Sequence, residues 1–338
     1  MHVVVRADGG PEIGYGHLVR TGALASKILD HDYEVTYATT TPAHVREVCP
    51  ADVETVSLPS RDDPETVREL VRERADVTVV DSYLADGSYQ ERVREVSPLV
   101  VVADDTRHRI AADVLVNGNL YAPSLAYEVV GAEPKWCLGP EHLLLRPAIA
   151  EYASKNPPWS ETPSRAIVTM GGSDIAELTP TVIHAFDRFD LRVDAIVGPG
   201  CSTEQQTKIE EAADNVSADV CVVRDPDDLP ERMCQADFAV TTASTTTYEL
   251  LALGTPIVNL PVVDNQRLIA NALREHDAAT VLENTADVDT FSDAISDYVS
   301  DPSLRRKRRD TGRSLVDGQG TARVFREVLS TATANRTT

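Results

Sequence analysis

The chain has 338 residues, long enough for two hydrophobic cores. Its 32 Lys+Arg against 54 Asp+Glu give a net charge of −22, which excludes a cationic nucleic-acid-binding surface, and its 42% apolar content excludes an acidic disordered chain. The charge is spread, −10 over residues 1–150 and −12 over 151–338, and the cations are 5 Lys and 27 Arg; it marks no segment for a cationic partner and reads as a halophilic adaptation to a salty cytoplasm.

Strands are predicted at Val3 to Arg6, Glu34 to Ala38, Val53 to Leu58, Val77 to Asp81, Leu99 to Ala103 and Val114 to Asn117, where short β-branched runs recur. Helical patterns fall between them, as at His17 to Leu29, Pro64 to Arg74 and Tyr89 to Val96. Asn156-Pro157-Pro158-Trp159-Ser160-Glu161-Thr162-Pro163 then interrupts the alternation, because proline fixes φ and removes a donor. The same grammar restarts at Arg165 to Met170 and continues through Arg192 to Val197, Asp219 to Arg224, Phe238 to Thr241, Pro256 to Leu260 and Ala279 to Leu282. These observations predict an α/β protein of two doubly wound, Rossmann-like domains, 1–152 and 164–330, joined by a linker over 153–163 and facing across a cleft. The basic run Arg305-Arg306-Lys307-Arg308-Arg309 reads as a solvated helix face.

The five cysteines are odd in number and never spaced as CxxC, which argues against a metal cluster or a disulfide framework. No apolar run reaches 18 residues, so no membrane insertion is expected. The first strand starts at Val3, leaving no room for a signal peptide, and the expected location is the cytoplasm. Nothing in the sequence specifies an oligomeric state.

In doubly wound sheets, ligands bind at the carboxyl ends of the strands, so the loops there are the candidate sites. The first strand runs into Arg6-Ala7-Asp8-Gly9-Gly10-Pro11-Glu12-Ile13-Gly14-Tyr15-Gly16-His17, with Arg20 one turn into the following helix. Gly14 and Gly16 let backbone approach a ligand, and the helix start offers free N–H groups to an anion. The loop is neither the dinucleotide fingerprint, since Val19 stands at its third glycine, nor a Walker A loop. His17 at a helix N-terminus is biased by the dipole toward the neutral imidazole that accepts a proton from water; a packing histidine is the plain alternative. Arg6 and Arg20 are the cations nearest this loop.

The second domain opens with a strand, Gly171-Gly172-Ser173-Asp174 and a helix, and later places Ser244, Thr245 and Glu249 at another helix start. Hydroxyls and amides there can hold a diphosphate, and Glu249 can accept both ribose hydroxyls; an ordinary N-cap with a capping-box acid explains the same residues equally well. Asp264 reads as a helix cap with Asn265 beside it. Asp81 and the pair Asp104-Asp105 follow strands and read as turn and cap residues, because no third ligand stands at metal spacing.

Taken together, these segments resemble the UDP-sugar hydrolases of pseudaminic acid biosynthesis, a family similar in fold to the two-domain glycosyltransferases called GT-B. The likeness rests on the Arg6 to Arg20 block, Asp81 with Tyr83, Asp104-Asp105 with Asp113 and Asn117, Leu145-Arg146-Pro147, the Gly171 loop, Ser244-Thr245 with Glu249, and Asn265-Gln266. It implies metal-independent, cofactor-free hydrolysis of UDP-2,4-diacetamido-2,4,6-trideoxy-L-altrose at the anomeric carbon, with His17 as the base for water. Gly14, Gly16, Arg20, Tyr83, Asn117, Arg146 and Asn265 would then meet the substrate, and Gly171, Gly172, Ser173, Ser244, Thr245 and Glu249 the nucleotide. Ala148-Ile149 departs from the family's acid and Phe, Asn119 lacks the expected nearby glutamine, and Tyr248 replaces a common Trp. A GT-B transferase in which His17 activates an acceptor hydroxyl is the alternative; a binding protein with a degenerate site is disfavoured by His17.

Overall fold

A computed structural model describes residues 1–334. The chain divides into two compact units, Met1–Pro147 together with the stretch from Gln319 onward, and Ala148–Gly318. In the first unit, β1 (His2–Ala7), α1 (Gly16–Leu29), β2 (Glu34–Thr39), α2 (Pro42–Val48), β3 (Glu54–Ser57), α3 (Pro64–Arg74), β4 (Val77–Asp81), α4 (Gly87–Arg94), β5 (Leu99–Val102), β6 (Val114–Asn117) and β7 (Lys135–Leu138) follow one another. The strands form one parallel sheet in the order β3-β2-β1-β4-β5-β6-β7. The order reverses between β1 and β4, so the carboxyl ends of these two neighbours open a crevice where connections leave in opposite directions. Both faces are covered: Val3, Val5, Leu24 and Ile28 lie in one core, and Val4, Val67, Val71 and Val93 in the other. That double burial is why the strands read as unbroken apolar runs rather than as alternation.

The second unit runs through α5 (Pro147–Ala153), β8 (Arg165–Thr169), α6 (Thr179–Ala185), β9 (Arg192–Val197), α7 (Thr203–Asp214), β10 (Asp219–Arg224), α8 (Leu229–Gln235), β11 (Phe238–Thr242), α9 (Thr245–Leu253), β12 (Ile257–Leu260), α10 (Arg267–Glu275), β13 (Thr280–Val281), α11 (Val288–Ser300) and α12 (Pro302–Leu315). Its parallel sheet has the order β10-β9-β8-β11-β12-β13, and the reversal falls between β8 and β11. The last helix, α13 (Gly320–Ala334), returns to the first unit. Its Val324, Phe325, Val328 and Ala332, spaced on one helical face, enter the core beneath α1.

The structure therefore draws its boundaries elsewhere than at 152, 164 and 330. The proline-rich segment belongs to the second unit, tied down by the arginine run. Arg305 donates to the carbonyls of Ser160 (3.1 Å) and Glu161 (2.6 Å), and Arg309 to those of Pro158 (2.8 Å) and Pro157 (2.7 Å). The Trp159 ring receives the guanidinium groups of Arg305, Arg306 and Arg309 at 5.0–5.6 Å. Arg305 is fully buried and Arg308 and Arg309 are half-buried, so only Arg306 and Lys307 of the run lie on a solvated face. A proline-rich segment cannot join a sheet, its carbonyls still need donors, and forked guanidinium groups supply them.

Candidate functional site

Four neighbouring strands of the first unit deliver one polar cluster at their carboxyl ends. After β1, Gly10 and Gly14 close a small loop through Gly14 N to Gly10 O (2.8 Å), and Gly14 takes φ +89°, a region that favours glycine. The loop ends at Gly16, the first residue of α1, which leaves His17 buried in the first turn and Arg20 one turn later on the same face. Asp81 closes β4 and is fully buried, Tyr83 follows it, Asp104 lies just beyond β5, and Asn117 ends β6.

His17 Nδ1 lies 2.6 Å from Asp81 Oδ1. Burial alone would raise the Asp81 pKa, but the adjacent Arg20 charge and His17 hold it well below the usual carboxylate range. Asp81 is therefore ionised and can only accept, so Nδ1 directs a hydrogen to it, with Arg20 Nη2 also 3.1 Å from Nδ1; in the neutral ring Nε2 is then the nitrogen with the lone pair. Arg20 is clamped between two carboxylates. It donates from Nε to Asp81 Oδ2 (2.6 Å), from Nη2 to Asp81 Oδ1 (2.6 Å) and from Nη1 to Asp104 Oδ1 (2.5 Å). Despite the cost of burial, the two carboxylates raise its pKa well above the ordinary value.

Tyr83 donates its hydroxyl hydrogen to Asp104 Oδ2 (2.7 Å). Burial, followed by the Asp104 charge, pushes the phenol pKa far up, so it stays neutral. Its ring meets the His17 ring edge-on, with centroids 4.6 Å apart, and Arg107 Cζ lies 4.0 Å from the Tyr83 ring centroid. Asn119 donates to Asp104 Oδ1 (3.2 Å) and to Asn117 Oδ1 (2.8 Å). Asn117 is fully buried and donates onward to Tyr127 (2.9 Å), so both ends of its amide are engaged within the protein. Arg146 lies half-buried just before α5.

Three sequence expectations change here. Asp81 and Asp104 are not turn residues but the anionic frame of the cluster; only Asp105 caps a turn, accepting from Arg107 N (3.0 Å). Arg20 spends its hydrogen bonds on that frame. Arg6 is not a free cation, since it is fully buried, pairs with Asp8 at 2.7 Å and donates to Arg61 O (2.8 Å).

The second unit's candidates also gather at carboxyl ends, on β8, β11 and β12. Gly171 follows β8 with φ +82°, and the modest space beside it is bounded by Thr242 at the end of β11. Gly172 O accepts from Gly200 N (2.8 Å), which ties this loop to the one after β9, and Ser173 O accepts from Gln205 (3.2 Å). The expected helix does not follow at once: α6 starts at Thr179, and Asp174 folds forward to accept from Leu178 N (2.9 Å) and Thr179 N (3.0 Å). Ser244 is the N-cap of α9 and Thr245 its first residue, but the Ser244 hydroxyl is buried without a hydrogen-bond partner. Glu249, a turn further, is buried, and it is the Thr247 hydroxyl, not Glu249, that accepts from Ser244 N (3.3 Å). Asn265 is exposed in a short 3₁₀ turn after β12; Asp264 caps nothing and pairs with Arg267 at 3.1 Å.

No family model matches the chain. It is 25% identical over 334 residues to the spore coat polysaccharide biosynthesis protein SpsG of Bacillus subtilis, covering 96% of each chain. It is 22% identical over 277 residues to the UDP-2,4-diacetamido-2,4,6-trideoxy-beta-L-altropyranose hydrolase of Campylobacter jejuni, covering 81% of this chain and 96% of that one. Among solved structures, MurG of Acinetobacter baumannii superposes with a TM-score of 0.70 at 13% identity, over 97% of this chain and 99% of that one. The fold is GT-B. Among the described residues, no helix is long and apolar enough to cross a membrane.

Asp81, Asp104 and Asn119 take larger parts in the cluster than their sequence positions suggest, and Arg107, which covers Tyr83, carried no signal in the sequence. The signal for Asp81 and Asp104 was present: an acid at or just beyond the carboxyl end of each of two strands, in a chain with an arginine one turn into its first helix.

Proposed function

We propose that the protein is a nucleotide-sugar hydrolase that cleaves a UDP-linked 2,4-diacetamido-2,4,6-trideoxyhexose at the anomeric carbon. The observation that carries this reading is the 2.6 Å contact of His17 Nδ1 with an ionised Asp81, which supports a role for Nε2 of the neutral ring as the base. Water gives a proton to Nε2 as its oxygen forms the bond to the anomeric carbon. The bond from that carbon to the diphosphate oxygen breaks, and UDP leaves with the electron pair. UDP departs readily without a general acid, so the reaction asks for a base and needs neither a metal nor a cofactor. Arg20 keeps Asp81 ionised, and the loops at Gly171 and Ser244 take the diphosphate through amides and hydroxyls, with Glu249 on the ribose.

The sugar assignment is supported by the Campylobacter relative and by the matching motifs from Arg6 to Gln266; its product would feed the synthesis of a nonulosonic, pseudaminic-type acid. The acidic, lysine-poor composition supports a salty cytoplasm as the workplace. One finding favours a second reading, a UDP-dependent glycosyltransferase: the fold is shared with a UDP-glucosyltransferase of Polygonum tinctorium. Incubation with the UDP-sugar and no acceptor separates the two. Release of UDP and free sugar is the expected result, and release of UDP only after a sugar or lipid acceptor is added would replace the hydrolase by the transferase.

A further inference from the structure

We propose that Tyr83 and His17 hold the attacking water by its two hydrogens, and that Asp104, by accepting the hydrogen bond from the Tyr83 hydroxyl, makes this seat selective for water over an alcohol. The inference rests on the hydrolase reading and deepens it. Asp104 receives Arg20 Nη1 at 2.5 Å and Asn119 at 3.2 Å on one oxygen and the Tyr83 hydroxyl at 2.7 Å on the other. Burial works against its charge, but Arg20 keeps the carboxyl below its usual range, so Asp104 is acceptor-only and the phenol must be the donor. The outward side of the Tyr83 oxygen therefore presents lone pairs alone.

The neutral form of His17 offers the same: Nδ1 directs its hydrogen to Asp81, and Nε2 presents a lone pair. The rings carrying these two acceptors touch edge to face, with centroids 4.6 Å apart. The Tyr83 ring is held at its hydroxyl by the 2.7 Å bond to Asp104 and across its face by Arg107. Two fixed acceptors suit a nucleophile with two hydrogens. Water gives one to Nε2, which takes it as the proton of the reaction, and keeps the other on Tyr83 while a lone pair points to the anomeric carbon. An alcohol has one hydrogen, and when His17 takes it, the Tyr83 oxygen is left without a donor.

Competition between water and methanol tests this, with free sugar and methyl glycoside counted as products. The native protein is expected to discriminate against methanol. Tyr83→Phe keeps the ring and removes the acceptor; its turnover should fall and its methanol-to-water product ratio should rise on the order of tenfold. Asp104→Asn, whose amide can donate to the phenol and turn its proton outward, should move the ratio the same way. Melting curves and UDP affinity identify folded variants. An unchanged ratio in either folded variant overturns the proposal even if turnover drops. Failure of the hydrolase reading is distinct: the native protein would then release no UDP in water alone.

Discussion

The two sheets of this protein end in different kinds of chemistry although their topologies run in parallel. Beyond β1, β4 and β5 stand fixed charges, with His17 and Arg20 locked onto Asp81 and Asp104. Beyond β8 and β11 stand glycine backbone and hydroxyls, with no lysine or arginine in 171–174 or 242–248. One doubly wound scaffold thus offers either orientation of reactive side chains, which needs a rigid ionic frame, or close backbone approach, which needs only small residues and helix starts. A net charge of −22 is compatible with binding a diphosphate on the second pattern, because amides act at hydrogen-bond range.

The largest expected effect breaks the first pattern alone. His17→Gln should lower turnover by about 10³–10⁴ while UDP affinity, read by calorimetry, stays at the native value; residual turnover near native would remove His17 as the base. Asp81→Asn should cost on the order of 10² in turnover by freeing the tautomer. It should also cost about 3 kcal/mol of stability in denaturant titration, the low end for breaking a buried pair, because Arg20 retains Asp104.

Acid should separate the native protein from that variant. The Asp81 pKa is depressed in the folded state, so its stabilisation is complete above the unfolded value of about 4 and is lost as pH falls below it toward the folded value. Stability curves of Asp81→Asn measured from neutrality downward should therefore fall less steeply in that range; equal slopes would refute the ionised frame.

The second pattern should yield smaller and purely binding effects. Glu249→Ala is expected to weaken UDP binding by about tenfold or more without changing single-turnover hydrolysis at saturation. In Gly171→Ala the new methyl has room, its nearest neighbour being Thr242 Oγ1 at 3.7 Å, so only the strain of φ +82° should appear. That amounts to about 1–2 kcal/mol, visible as a lowered melting temperature.

The core strands were legible because burial on both faces writes them as β-branched runs: β4, β6, β9 and β10 fall on the bounds that the sequence suggests. β7 was not, since Lys135-Trp136-Cys137-Leu138 forms an edge whose first two side chains are exposed. The sequence alone assigns residues up to 330 to the second domain, and nothing local in the Gly320–Ala334 segment says that its helix covers the first sheet. In the site, loop position singled out His17 and Arg20, and the family resemblance added Tyr83. Their partners stand 61 to 84 residues away in several cases, a pairing that only the strand order β1-β4-β5 creates.

The return of α13 carries a consequence for how the protein is made. Val324, Phe325 and Val328 belong to the core of the first unit, yet they are translated after the whole of Ala148–Gly318. On the ribosome, the half that begins first must wait with an open hydrophobic seam while the half that begins second has every residue it needs. Vectorial synthesis therefore inverts the order of completion, and the seam beneath α1 is where a nascent chain of this protein would depend on a chaperone.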